Sequence, residues 1–144
     1  MTEVIEDILV WQKLRNALPK THTLGFVPTM GNLHKGHLSL CKRSQQENHK
    51  TCVSIFVNPT QFNNANDFIH YPQTLDADLD TLQKHNVDYC FLPRQDLLYQ
   101  DNYRYRITEH EYANILEGAA RANHYTGVLT IVMKLFNIIK PSAA

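Results

Sequence analysis

Phe26-Val27-Pro28-Thr29-Met30-Gly31-Asn32-Leu33-His34-Lys35-Gly36-His37 is the stretch around which the rest of the chain is organised. An apolar strand, Leu24 to Val27, runs into a tight glycine-containing loop. The loop delivers His34 and His37 to the first turn of a helix expected from about His34 to Asn48. At a helix N-terminus, free backbone N–H groups and the positive end of the dipole favour an anion. Glycine lets the backbone approach such a ligand closely, because it carries no Cβ. Two imidazoles at positions i and i+3 share a helical face and are placed to hydrogen-bond phosphate oxygens together. A pair of solvated surface histidines would have the same spacing, and zinc is a weaker option because no Cys or carboxylate sits nearby in sequence.

Working outward, Thr51 to Val57 is a continuous β-branched, apolar run, as in a parallel strand covered on both faces. Strand, helix and strand at this spacing predict a right-handed βαβ unit. Asn58-Pro59 should then lie beside the histidine loop, since ligands bind at the carboxyl ends of such strands. Thr60 to Gln73 is polar and without a clear period, which reads as a long functional loop. Thr74 is expected to cap a helix with Asp76 and Asp78 near its positive end and Leu75, Leu79 and Leu82 turned inward. Both aspartates read as helix-stabilising rather than catalytic.

Val87 to Leu92 supplies a third strand, closed by Pro93. Gln95 to Tyr99 reads as a short helical turn, and Tyr103 to Thr108 alternates as a short strand would. His110 to Asn123 is loosely organised, and Tyr125 to Ile139 is a strongly apolar helix. At the start of the chain, Thr2 is expected to cap a helix running to about Leu18, where Pro19 stops it. The organisation is thus α/β with three parallel strands and no fourth. The buried face of the last helix is expected to need a further strand and a second domain to cover it. The Ala-Ala end after Pro141 offers no finishing element.

The chain has 144 residues and a formal net charge of zero, which suits one domain with a sizeable core. It lacks the concentrated basic face that a nucleic-acid or anionic-membrane partner would need. The acidic start, Met1 to Asp7, is not a secretory signal, and the apolar run Val128 to Ile139 is too short to span a bilayer. A cytoplasmic protein is expected. Cys41, Cys52 and Cys90 form neither a zinc pattern nor a disulfide framework, and Cys52 and Cys90 fall in apolar strands as small buried hydrophobes.

Four blocks of this sequence resemble the pantoate–β-alanine ligases, which belong to the nucleotidyltransferases with a His-x-Gly-His motif. They are Val27 to Leu40, Val53-Ser54-Ile55-Phe56-Val57-Asn58-Pro59-Thr60-Gln61-Phe62, Tyr71 to Leu79, and Gly118 to Pro141. The likeness runs in order and without gaps from Gly25 onward. It implies a Rossmann-like parallel sheet with flanking helices, and ATP-dependent condensation of pantoate with β-alanine through pantoyl adenylate, with AMP and pyrophosphate released. On the family's pattern the ATP-binding stretch falls on Met30, Gly31, Asn32, Leu33, His34, Lys35, Gly36 and His37. His34 and His37 take the catalytic role, with proton donation assigned to His37. Pantoate and β-alanine contacts fall on Gln61, with Asn58 supporting the pocket and Met30 packing on the pantoate methyl groups. Tyr71, Arg121 and His124 match residues near the mouth of the site. The family usually has Pro after the arginine, where this chain has Ala122.

The resemblance further implies Mg2+ accompanying ATP, no metal ligands of the protein's own, and a homodimer. Family members continue past the position of Pro141 into a Gly-Glu-Lys-Asp nucleotide motif, a further pocket glutamine, a Ser/Arg phosphate loop and a second domain. Residues 1–144 are therefore expected to be the N-terminal nucleotide- and pantoate-binding domain, cut before the C-terminal domain and inactive alone. Two other activities fit the histidine motif less well. One is another nucleotidyltransferase of the same motif, against which Gln61 in Asn-Pro-x-Gln-Phe speaks. The other is a non-catalytic nucleotide-binding module, which the missing lysine region would favour.

Overall fold

A computed structural model describes residues 1–144. Its centre is a parallel sheet of four strands, β1 (Glu3–Ile5), β2 (Leu24–Thr29), β3 (Lys50–Ile55) and β4 (Tyr89–Phe91), in the spatial order β1-β4-β3-β2. Seven helices accompany them: α1 (Ile8–Ala17), α2 (Lys35–Glu47), α3 (Ala65–Ile69), α4 (Leu75–Lys84), α5 (Gln95–Leu98), α6 (Glu117–Ala120) and α7 (His124–Ile139).

Residues alternate between the two faces of the sheet, as the pleat requires. Leu24, Phe26, Cys52, Tyr89 and Phe91 face one side, where Trp11 of α1 and Ile131, Leu135 and Ile139 of α7 complete the core. Val27, Val53, Ile55 and Cys90 face the other, against Cys41 of α2 and Leu82 of α4. Trp11 is fully enclosed, edge-on to Tyr89 at 5.7 Å between ring centroids, and its indole N–H donates to the Ile138 carbonyl (3.1 Å). That bond ties α1 to the end of α7.

The central βαβ unit and α7 follow the sequence closely, while several other expectations change. The segment read as one helix from Thr2 splits. Glu3–Ile5 pairs in parallel with Tyr89–Phe91, and α1 begins only after Asp7, whose carboxylate accepts from the N–H groups of Leu9 (2.7 Å) and Val10 (3.0 Å). A fourth strand therefore does exist. Tyr103 to Thr108 is not a strand: Asn102 and Tyr103 take left-handed backbone angles, and Ile107 N–H goes to the Thr130 hydroxyl rather than to a sheet neighbour. Thr60 to Gln73 is less irregular than expected, with a 3-10 turn at Pro59–Gln61 and α3 capped by the Asn64 side chain. The apolar face of α7 is covered within the chain by α1 and the sheet, leaving Met133 47% exposed on its outer side. After Pro141 the backbone returns along the free edge of β2, where Phe26 N–H donates to the Ala143 carbonyl (2.9 Å).

The third core strand is also shorter than Val87 to Leu92. In α4, Leu75 is 37% exposed rather than turned inward, whereas Leu82 is fully buried. Thr74 stands at the N-cap position without capping, because its hydroxyl donates to Asp78 instead (3.0 Å).

Candidate active site

The carboxyl ends of β2 and β3 lie side by side, and the loops that leave them carry most of the residues singled out by sequence. Between β2 and α2 the chain turns through two consecutive left-handed residues, Gly31 (φ 78°) and Asn32 (φ 52°). Only glycine fits the first position on two counts. The φ angle disfavours an L side chain, and an added Cβ would stand 3.0 Å from the Asp78 carboxylate and 3.3 Å from Ile55. The turn aims the N–H groups of Asn32 and Leu33 at Asp78, which accepts both, at 2.9 Å on Oδ2 and 2.8 Å on Oδ1. Behind it, Gly31 N–H donates to the Thr29 hydroxyl, which itself donates to the Ser54 carbonyl on β3.

His34 is the N-cap of α2. Its Nδ1 accepts from Gly36 N–H (3.1 Å), while His37 Nδ1 accepts from His34 N–H (3.3 Å), a capping box built from two imidazoles. The rings sit 4.1 Å apart, tilted by 39°. With each Nδ1 accepting, the neutral tautomer of both rings carries its proton on Nε2. Partial burial and the neighbouring His34 ring push the His37 imidazole below its ordinary pKa, against a smaller upward pull from Asp78. His37 is accordingly neutral at pH 7 and donates through Nε2–H.

The backbone N–H groups of Asn32, Leu33, His34 and Gly36 are thus all engaged inside the loop, which corrects the expectation that they stand free for an anion. The donors left for a ligand at this helix start are the Lys35 N–H and the two imidazole Nε2–H groups. Lys35 lies on the opposite side of α2, beside Leu38, Ser39, Lys42, Gln45 and His85.

Gln61 ends the 3-10 turn and is 8% exposed. Asn58, 1% exposed, sits beneath it and satisfies both ends of its amide. Its Nδ2 donates to Gln61 Oε1 (3.1 Å) and to the Gly127 carbonyl (3.1 Å). Its Oδ1 accepts from the hydroxyls of Tyr99 (2.6 Å) and Thr60 (2.9 Å). Gln61 Nε2 reaches the Met30 sulfur at 3.0 Å, which joins this turn to the histidine loop. From α7, His124 Nδ1 donates to the Gln61 carbonyl (2.8 Å), and Arg121 reaches the same oxygen at 3.5 Å while facing Glu117 (3.7 Å). Gly127 permits the contact, since a Cβ there would stand 2.5 Å from the Thr60 carbonyl oxygen. Tyr71 packs edge-on against Phe62 (5.7 Å), and its phenol is raised by burial first and by the Asp78 charge second.

The family model described as pantoate-beta-alanine ligase matches residues 3–144. The chain belongs to that family. Pantothenate synthetase of Legionella pneumophila (strain Lens) is 49% identical over 142 residues, covering 99% of this chain and 56% of that relative. The crystal structure of pantoate-beta-alanine ligase from Francisella tularensis, complexed with beta-gamma ATP and beta-alanine, superposes with a TM-score of 0.94 at 46% identity, over 98% of this chain and 54% of that one. Pantothenate synthetase from Thermus thermophilus gives 0.87 at 38% identity, over 99% and 51%. The chain spans about half the length of the curated relatives it matches. The fold is the nucleotidyltransferase-type α/β fold of the pantoate-beta-alanine ligase family.

Met30, the histidine pair, Asn58, Gln61, Arg121 and His124 form one connected neighbourhood, with Tyr71 beside it near Asp78. Arg121 and His124 meet the backbone of Gln61. Three residues that organise the site, Asp78, Tyr99 and Gly127, were not singled out for it by the sequence, although Asp78 and Gly127 lie in blocks that resemble the family. Asp78 has a sufficient local explanation as a first-turn carboxylate of α4, and only the fold shows that its oxygens face the histidine loop.

Proposed function

We propose that this chain is the nucleotide- and pantoate-binding part of an ATP-dependent acid–amine ligase. It would condense pantoate with β-alanine through pantoyl adenylate, releasing AMP and pyrophosphate. The observation that carries the proposal is the agreement in fold and sequence with the Francisella tularensis ligase in complex with a nucleotide and β-alanine. The site supports it chemically. Two imidazoles at the start of α2 offer paired Nε2–H donors for phosphate oxygens, with Met30 through His37 as the ATP-binding stretch. His37 stabilises the charge that develops on the α-phosphate and on pyrophosphate. Gln61 holds the pantoate hydroxyl and carboxylate with an amide that both donates and accepts. Asn58 fixes that amide, Met30 lines the apolar side, and Tyr71 adds a neutral phenol at the mouth. Arg121 and His124 hold the Gln61 backbone in place.

ATP is taken as its magnesium complex, with the ion carried by the phosphates. No three His, Cys, Asp or Glu side chains converge to hold one. The working form is a homodimer in the cytoplasm. All three thiols are buried and unpaired, with burial raising the Cys90 thiol to about 12. No helix is long and apolar enough to cross a membrane.

Calorimetric titration of the chain with pantoate and with ATP tests the proposal. Gln61→Ala should abolish pantoate binding and leave ATP binding largely intact, and the double substitution of His34 and His37 by Ala should do the reverse. Where turnover is measured, His37→Ala should lower the adenylation rate by about 10²–10³, the usual loss for one transition-state donor. Pantoate binding that ignores Gln61, or ATP binding that ignores both histidines, rejects the assignment.

A further inference from the structure

Asp78 is the one fully buried carboxylate of the molecule, 4% exposed, and its surroundings are those of a bound anion rather than of a helix cap. Successive N–H groups that converge after a left-handed turn form a concavity that binds anions. In this chain the concavity lies at Gly31-Asn32-Leu33 and its anion is an internal side chain. Oδ1 takes Leu33 N–H, and Oδ2 takes Asn32 N–H and the Thr74 hydroxyl. The missing Cβ of Gly31 leaves the space that the carboxylate fills.

Favourable interaction with the α4 dipole does not account for this burial. A carboxylate in the first turn of a helix gains that interaction while fully solvated, as exposed Asp76 does on the same turn. Taking a charge out of water is costly unless specific donors replace the lost hydration. All of the hydrogen bonds that replace water around Asp78 come from the histidine loop, apart from Thr74.

We propose that Asp78 is a positioning residue for the phosphate-binding histidines. It fixes the turn Gly31–Leu33, and so sets the entry of the chain into the His34–His37 capping box and the tautomer that presents Nε2–H. Asp78 touches neither imidazole and no reacting atom. It acts on the ligand through the backbone of residues 32 and 33, and its negative charge raises the proton affinity of His37 against the burial that lowers it. The ionisable groups that face His37 are His34 on its own loop and Asp78 from α4. The assignment of ATP phosphates to these histidines rests on the proposed function above, whereas the effect of Asp78 on the loop does not need a nucleotide.

The test is nuclear magnetic resonance of the 144-residue chain, comparing Asp78→Asn with Asp76→Asn. Asp78→Asn should speed hydrogen exchange at the Asn32 and Leu33 amides by on the order of tenfold or more, since each loses a bond to a charged acceptor. It should also move the ring 15N resonances of His34 and His37 away from a pure Nε2–H tautomer. Asp76→Asn should do neither. Unchanged exchange and ring nitrogens in Asp78→Asn, or equal effects of the two substitutions, would overturn the proposal and leave only a helix-stabilising role. If Asp78→Asn fails to fold, Thr74→Val replaces it. Removing the third donor to the carboxylate, which shares Oδ2 with Asn32, should loosen Asn32 more than Leu33, and a Thr74→Val protein with both amides unmoved overturns the proposal equally. An ATP titration of the unsubstituted chain is run alongside. No binding there would count against the proposed function while leaving the loop measurements to decide the role of Asp78.

Discussion

Two loops meet at the site, and each is fixed by one buried polar side chain, Asp78 from distant α4 and Asn58 from the start of the Gln61 turn itself, but the two hubs differ in kind. Asp78 holds the histidine loop by accepting three bonds with a charge. Asn58 holds the Gln61 turn with a neutral amide that donates to Gln61 and Gly127 and accepts from Tyr99 and Thr60. A charged acceptor grips its donors more strongly and cannot be replaced by a neutral isostere, since Asn presents a donor where only donors face it. A neutral amide gives both polarities without a burial charge, which suits a pocket that must present Gln61 to a ligand with a hydroxyl and a carboxylate. The strongest way to break this contrast is to delete the hubs. Asp78→Ala should cost about 3–4 kcal/mol, because bonds to charged groups contribute about 1.5–3 kcal/mol each and the freed donors are poorly solvated. Asn58→Ala should cost less, about 2–3 kcal/mol, with neutral bonds lost. Chemical denaturation measures both. Equal costs, or a larger one at Asn58, would remove the distinction between the hubs.

The next effect is steric. Gly127 allows α7 to lie against the Gln61 turn, and a methyl group there would press on the Thr60 carbonyl and the Gln61 backbone. Gly127→Ala should destabilise by about 1–3 kcal/mol, the usual cost of overpacking, and weaken whatever binds at Gln61. The histidine loop should keep its amide spectrum. If residues 34–37 shift as much as residues 58–61, the two hubs are not independent, and the Met30–Gln61 contact is the path between them.

How far the fold could be read from the chain divides along the same line. The β2–α2–β3 unit was legible because both its signals are local: a β-branched run with few polar interruptions, and a loop whose glycine, asparagine and N-cap histidine lie within eight residues. The strand at Glu3–Ile5 was not, since three residues are too few to show alternation. Val4, Ile5, Ile8 and Leu9 fall at helical spacing instead. What makes it a strand is its pairing with Tyr89–Phe91, far along the chain. Tyr103 to Thr108 fails the opposite way, with an alternating pattern and no neighbouring strand. Met30, His34, His37, Asn58 and Gln61 were singled out from their motifs, and the fold brings Met30, Asn58 and Gln61 into contact. Asp78 and Tyr99 were missed as organisers because each acts on a loop more than forty residues away, and nothing in their own sequence neighbourhoods marks it.

The smallest effect sharpens the contrast through pH. His37 has its folded pKa below the ordinary imidazole value of about 6.5. Between those two values the unfolded chain binds a proton that the folded chain does not, so stability rises with pH across that window and is lost as pH falls through it. Above the ordinary value this contribution is constant. The same proton would occupy Nδ1, which then cannot accept from His34 N–H, so acid opens the capping box as well. The Gln61 turn has a histidine too, but His124 Nδ1 donates to the Gln61 carbonyl and does so whether the ring is neutral or charged. Lowering the pH from about 7.5 to about 5.5, across the imidazole range, should therefore shift the amides of residues 34–37 and spare those of 58–61. Glutamine at the third helical position completes a capping box without titrating. His37→Gln should accordingly flatten the slope of melting temperature against pH across the imidazole range. A Gln variant with the full slope, or amides at 58–61 that move with those at 34–37, would show that the pH response does not belong to the charged hub's loop.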